Sequence, residues 1–128
     1  MFEYKQLSNE ISVSVRPVYA EDKSNVITQK YVFIYTVTIQ NHQSENVQLL
    51  RRSWLIKDSI GDIYEVNGEG VIGKQPIIKP NESFTYQSYC VLKSPSGSME
   101  GVYDMETETG QSLKVAIPRF FLRSHLLN

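Results

Sequence analysis

The chain has 128 residues, of which 41% are hydrophobic and 21% charged, with 13 basic and 14 acidic side chains and a net charge of −1. This length and composition predict one globular domain whose core is large enough to fold without cross-links. The balanced charge argues against a nucleic-acid-binding protein, because such proteins carry a strong basic excess.

Cysteine usage and hydropathy predict where the protein is found. Cys90 is the single cysteine, so no intramolecular disulfide can form, which suits a reducing compartment. The segment Met1–Lys5 lacks the basic start and apolar run of a signal peptide. No window approaches the roughly 20 apolar residues that span a bilayer. We therefore expect a cytoplasmic protein with no membrane contact.

Alternation of apolar and polar residues with period two predicts β-strands in the first half of the chain. The first strand spans Glu10–Arg16, and Pro17 ends or kinks it. The second spans Gln29–Asn41, in which nearly every residue is β-branched or aromatic. After a turn, the third strand spans Val47–Lys57 and carries Trp54.

Further strands separated by turns follow in the second half. A strand over Ile63–Val66 leads into a glycine-rich loop from Asn67 to Gly73, and a short extended piece lies between two prolines at 76–80. Three more strands are predicted over Ser83–Leu92, Ser98–Glu108 and Leu113–Ile117, the last of them closed by Pro118.

Short strands with turns every 8 to 12 residues or so predict an all-β, immunoglobulin/fibronectin type III-like antiparallel β-sandwich. Trp54 lies on the third predicted strand, where such domains often bury a tryptophan. Tyr103 lies two residues before an inward position of the penultimate strand, as a tyrosine corner does.

The loop residues Gly68, Gly70 and Gly73 form a G-x-G-x-x-G string. A dinucleotide-binding fold would need a helix directly after it, which Pro76 prevents. A smaller anion site remains possible, since successive backbone N–H groups of a glycine-rich turn can bind phosphate. Lys74 would belong to that site, and Lys79, Arg51 and Arg52 could add charge. The alternative is that the glycines only allow a tight turn.

A row of carboxylates, Glu100, Asp104, Glu106 and Glu108, shares one face of a predicted strand. Residues two apart on a strand are separated by roughly 6.6–6.8 Å, whereas Mg²⁺ needs oxygens at about 2.1 Å. One strand therefore cannot chelate the ion, and we interpret the row as a solvated face. We therefore predict no metal ligands and no cofactor.

No arrangement of catalytic side chains is evident, so we expect no enzyme activity. His42 lies in a turn and His125 near the end of the chain, and neither has a partner at metal-ligand spacing. Cys90 shares its strand face with Phe84 and Tyr86, which predicts a buried and unreactive thiol.

The C-terminal tail over residues 119–128 contains five large apolar side chains after the last predicted strand. It either packs back over the sandwich or stays exposed for self-association or partner binding.

Four stretches resemble the bacterial ApaG family, in the family's order and over nearly the whole chain: Val47–Trp54, Gly68–Pro76, Ser94–Met105 and Ile117–Leu122. The resemblance implies a single ApaG domain over residues 1–128, with a two-sheet, fibronectin-type sandwich. It also implies links to Co²⁺ and Mg²⁺ resistance and to diadenosine tetraphosphate metabolism. Related domains in eukaryotic F-box proteins and in a polymerase-interacting protein are similar to protein-interaction modules.

Together these observations predict a non-enzymatic binding module with a protein partner. A homo-oligomer remains an open alternative. So does a phosphate-containing ligand, in which case the protein would be a sensor for phosphate, pyrophosphate or a divalent metal. That ligand would bind at Gly68, Gly70, Gly73 and Lys74.

Overall fold

A computed structural model describes residues 2–124. In these residues there are nine β-strands and one short 3₁₀ turn, Glu21–Lys23. The strands are β1 (Tyr4–Ser8), β2 (Ile11–Tyr19), β3 (Tyr31–Asn41), β4 (Val47–Asp58), β5 (Ile63–Glu69), β6 (Ile77–Ile78), β7 (Ser83–Leu92), β8 (Ser96–Thr107) and β9 (Ser112–Arg123).

The strands form two antiparallel sheets. The first has the order β1-β2-β3-β7, and the second has the order β5-β4-β8-β9, with β6 pairing with the start of β4. This grouping corresponds to the A-B-E and C-F-G sheets of immunoglobulin-type domains, with β1 and β5 as outer additions. The predicted β-sandwich is therefore confirmed.

Alternating side chains of both sheets meet in one core. Val13 and Val15 of β2 and Val37 and Ile39 of β3 are completely buried in it. Trp54 of β4 is buried, as expected, and its ring centroid lies 5.5 Å from that of Tyr35 on the opposite sheet. Contacts of this kind bridge the two sheets and hold them together.

Two prolines lie within strands, although Pro17 was predicted to end or kink its strand and Pro118 to close the last one. Strand β2 continues through Pro17 to Tyr19, and β9 continues through Pro118 to Arg123. Pro17 lies beyond the part of β2 that pairs with β1, so its missing N–H faces an unpaired edge. Pro118 lies where the β8–β9 register shifts, opposite the irregularity between Met99 and Gly101. Neither proline removes a hydrogen bond that its sheet needs.

The first five residues of the predicted tail therefore belong to β9. Phe120 and Leu122 are fully buried, whereas Phe121 points outward and is 38% exposed. The ring centroid of Phe120 lies 6.2 Å from that of Tyr4, 5.7 Å from Tyr35 and 6.0 Å from Trp54. Residues 125–128 of the tail, including His125, lie outside the described residues.

Tyr103 is fully buried but does not form a tyrosine corner. Its hydroxyl lies 2.5 Å from that of Tyr86 on the opposite sheet, so the hydrogen bond joins two side chains across the core. A tyrosine corner would instead bond to the backbone a few residues upstream.

One side of the sandwich is closed by the packing of β1 and β2 against β9. The backbone N–H of Ala116 donates to Ser8 Oγ at 3.0 Å, and Asn9 Nδ2 donates to the carbonyl of Lys114 at 2.7 Å. On the other side, β7 ends the first sheet and β5 ends the second. In the described part of the chain, those two strands are not among the pairs that pack closely.

Candidate functional site

A cleft of about 370 Å³ opens between the two sheets on the β5/β7 side. Its walls come from five strands of the two sheets. The lining residues are Tyr35 of β3, Arg52, Trp54 and Ile56 of β4, Tyr64 and Val66 of β5, Ser88, Tyr89, Cys90 and Val91 of β7, and Met99 of β8. The cleft is therefore mainly aromatic and aliphatic, with one cation.

The strands that flank this cleft both have a free edge. Strand β7 has neither a charged residue nor a proline in its ten residues. Tyr89 and Val91 are 68% and 45% exposed, and Val66 of β5 is 40% exposed. Proteins usually protect free edges with charges, prolines or bulges, because unpaired N–H and C=O groups recruit other strands. Strand β7 therefore lacks the charges and prolines that usually protect a free edge.

Arg52 is the cation of the cleft, and β4 places it on the inner face. In the β4–β8 pairing it lies opposite the buried Tyr103, so the two side chains share that face. Its Nη1 donates to the carbonyl oxygens of Glu69 at 3.0 Å and Gly70 at 2.8 Å. Arg51 is exposed and, one residue away on the strand, points to the other face.

Three buried tyrosines, Tyr35, Tyr86 and Tyr103, lie close enough to Arg52 to feel its charge, and Tyr35 lines the cleft. Burial raises the pKa of Tyr35, Tyr86 and Tyr103, and the positive charge of Arg52 offsets this effect only in part. All three phenols therefore stay protonated at neutral pH and carry no charge that could balance the guanidinium.

Cys90 is buried, as predicted, on the β7 wall of the cleft. Burial, with a smaller contribution from Asp58, raises the pKa of its thiol to about 11. At neutral pH it is therefore a thiol rather than a nucleophilic thiolate.

The glycine-rich segment was predicted as one loop from Asn67, and this boundary was wrong. Gly68 is part of β5, opposite Arg52 in the β4–β5 pairing. The backbone N–H of Gly70 donates to the carbonyl of Leu50 at 2.8 Å, so it takes part in holding the segment to β4. Gly68 and Gly70 thus support the strand and the side chain of Arg52.

The next four residues form a tight turn. Val71 and Lys74 exchange two backbone hydrogen bonds, of 2.8 and 2.9 Å. Between them, Ile72 has φ 44° and Gly73 has φ 76°, and positive φ at both central positions is typical of a type I′ turn. The side chain of Lys74 is exposed beside this turn. The structure therefore separates Gly68 and Gly70 from Gly73 and Lys74.

Two of the four carboxylates of the row, Asp104 on β8 and Glu108 just after it, are engaged in local contacts. Asp104 forms an ion pair with Lys114 at 2.5 Å, and Glu108 accepts the backbone N–H of Asn46 at 2.9 Å.

The ring nitrogen Nε2 of His42 lies 3.2 Å from Ser12 Oγ. Across residues 2–124, no three His, Cys, Asp or Glu side chains are grouped closely enough to hold a metal ion. Within the same residues, no helix is long and apolar enough to cross a membrane.

Comparison with known proteins places the chain in a family. Residues 21–107 match the family model described as the ApaG domain. The chain is 45% identical to Protein ApaG of Paramagnetospirillum magneticum, covering 94% of this chain and 93% of that protein. It is 47% identical to Protein ApaG of a Methylobacterium species, covering 93% and 92% of the two chains.

A solved structure agrees with this assignment. The crystal structure described as an ApaA protein from Bordetella pertussis superimposes with a TM-score of 0.88 at 40% identity, covering 91% of this chain and 95% of that one. The sequence and structure comparisons thus point to the same family that the four sequence stretches resemble. The chain belongs to the ApaG domain family.

Proposed function

We propose that the protein is a non-catalytic binding module that receives an extended segment of a partner protein in the cleft between β5 and β7. The observation that carries this proposal is the pair of free strand edges on either side of an apolar cleft. An added strand would pair its backbone with one edge and place alternate side chains in the cleft, as in other cases of β-strand addition. The family links to metal resistance and diadenosine tetraphosphate metabolism would then act through the bound partner.

Photo-crosslinking in cells that produce the protein tests this proposal. With benzoylphenylalanine in place of Tyr89, irradiation is expected to give a discrete adduct with a partner. The added substitution Val66→Lys should abolish the adduct, because it places a charge in the cleft. Mass spectrometry of the adduct identifies the partner.

The control carries the same crosslinker at Leu7, which is exposed on β1 at the opposite edge of the first sheet. Identical adducts from both positions, or none from position 89, would contradict the proposal. An adduct of twice the chain's mass would instead make the partner a second copy of this chain.

A second candidate is an anion site, for phosphate or pyrophosphate, at the turn Val71–Lys74. One observation favours it. In residues 2–124, the N–H groups of Ile72 and Gly73 take part in none of the hydrogen bonds, and both residues are exposed next to the Lys74 side chain. Adjacent free N–H groups in a turn, with a cation beside them, can bind an anion.

Titration with pyrophosphate, followed by amide NMR shifts, tests the anion site. Saturable shifts are expected at Ile72 and Gly73, and Lys74→Ala should weaken the affinity by about 3-fold to 10-fold. Lys79→Ala, another exposed lysine, is the matched control. Substitution of Gly70 is unsuitable, because a Cβ there would lie 2.0 Å from the carbonyl oxygen of Lys74. Unchanged amide shifts would rule the site out.

A further inference from the structure

Arg52 is held in place before any ligand arrives. A Cβ built on Gly68 would lie 2.8 Å from Nη1 and 2.9 Å from both Cζ and Nη2 of Arg52. These nearly equal distances show that the guanidinium plane rests flat against the Gly68 backbone. The two hydrogen bonds from Nη1 to Glu69 and Gly70 fix its orientation. Such a side chain loses little conformational entropy when it binds a ligand.

The positive charge of this guanidinium has no carboxylate partner among the residues described. The one ion pair in residues 2–124 joins Lys114 and Asp104, although the chain contains 14 acidic side chains. Nε and Nη2 of Arg52 take part in none of the hydrogen bonds formed within residues 2–124. Three N–H donors of a half-buried cation are thus available to an anion, and a guanidinium matches a carboxylate in a bidentate geometry.

The residues that follow Arg52 on the same face of β4 are apolar. Trp54 and Ile56 come next at two-residue steps and both line the cleft. Residues two apart on an added strand are also separated by roughly 6.6–6.8 Å. A carboxylate beside Arg52 would therefore place the side chain two positions away beside Trp54.

From this spacing we infer that the partner segment carries an aspartate or glutamate that Arg52 binds, with a large apolar residue two positions away that enters the cleft beside Trp54. This inference rests on the proposed function and adds the chemistry that selects the partner. The free edge of β7 supplies the backbone pairing, and Arg52 sets the register of the added strand.

Selection from a displayed library of random octapeptides, with the purified protein as bait, tests the inference. The enriched peptides are expected to share an acidic residue two positions from an aromatic or large aliphatic one. Synthetic peptides of the enriched sequence, blocked at both ends, are then titrated calorimetrically. Arg52→Gln is expected to weaken binding at least 10-fold, since it removes charge-assisted hydrogen bonds. Arg51→Gln makes the same charge change on the opposite face and should have little effect.

A change on the peptide side keeps the test valid if Arg52→Gln does not fold. Exchanging the peptide's Asp for Asn, or Glu for Gln, should weaken its binding to the unsubstituted protein by the same factor of 10 or more. Binding that survives both changes, or an enriched sequence without an acidic residue, would overturn the role of Arg52 but leave peptide binding standing. If the selection enriches no peptide, both the role of Arg52 and the proposed peptide binding are overturned. Displacement of the peptide by millimolar inorganic phosphate through Arg52, without any need for the acidic residue, would show a small-anion site instead.

Discussion

Replacing Phe120 by alanine is expected to lower the free energy of unfolding by about 3–5 kcal/mol. The ring is fully buried between the sheets and contacts Tyr4, Tyr35 and Trp54, which lie on three different strands. Its removal leaves a cavity that those rings cannot fill without leaving their own contacts. Urea unfolding followed by tryptophan fluorescence measures the change.

The next residue provides a matched control. Phe121 is 38% exposed, and the guanidinium groups of Arg119 and Arg123 lie 5.1 and 5.2 Å from its ring centroid. Its replacement by alanine removes these contacts and one with Tyr4, whose ring centroid lies 6.4 Å away, but none in the core, and should cost less than about 1 kcal/mol. Equal losses for the two variants would show that this segment of β9 does not form part of the core.

Replacing Gly101 by alanine is expected to destabilise the protein by about 3 kcal/mol or more, at the upper end for overpacking. A Cβ at this position would lie 2.3 Å from the carbonyl oxygen of Ser53, 3.1 Å from Cδ1 of Ile117 and 3.2 Å from Cε3 of Trp54. The first of these atoms is backbone in the neighbouring strand, so the β4–β8 pairing itself must move. Thermal unfolding should show a fall in Tm of roughly 10 °C.

Gly110 is the control for this substitution. It lies in the turn between β8 and β9 with φ 90°, and a Cβ there would meet nothing within 4 Å. Gly110→Asn should cost about 1 kcal/mol, because the cost comes only from the backbone conformation and asparagine tolerates positive φ. A Gly101 variant as stable as this one would show that the two strands separate easily at that position.

The strands that sequence patterns predicted best are those with one face in the core. Strand β3 was predicted to within two residues, because its alternation of β-branched and aromatic residues matches its burial. Strand β1 was not predicted. Its middle three residues are exposed, so Tyr4–Ser8 carries almost no hydrophobic pattern, and the strand exists through its pairing with β2 and its packing on β9.

The prolines show a second limit of local patterns. Pro17 was interpreted as an end or a kink of its strand and Pro118 as a strand end, because proline cannot donate a ladder hydrogen bond. Whether that donor is needed depends on the neighbouring strand, and this is a property of the sheet order. A sequence read residue by residue does not contain that information.

The cleft could not be predicted for a related reason. The glycine string is visible as a motif because its residues lie within six positions of one another, whereas the cleft residues come from five strands between positions 35 and 99. One signal was present in the sequence. Arg52 shares its strand face with Trp54, and a charged residue at an inward position of a strand commonly has a specific role.

The packing of β1 and β2 against β9 has a consequence for the protein during its synthesis. Asn9 and Lys114, which form one of the contacts between these ends, are 105 residues apart in sequence. At roughly 5–20 residues per second, the ribosome needs about 5 to 20 s to make the residues between them. Throughout that interval the nascent chain lacks β9, and with it the Phe120 ring, whose centroid lies 5.7 Å from that of Tyr35 in the finished core. The sandwich therefore cannot close before β9 is made, and the apolar surface left open until then makes this interval the one most prone to aggregation.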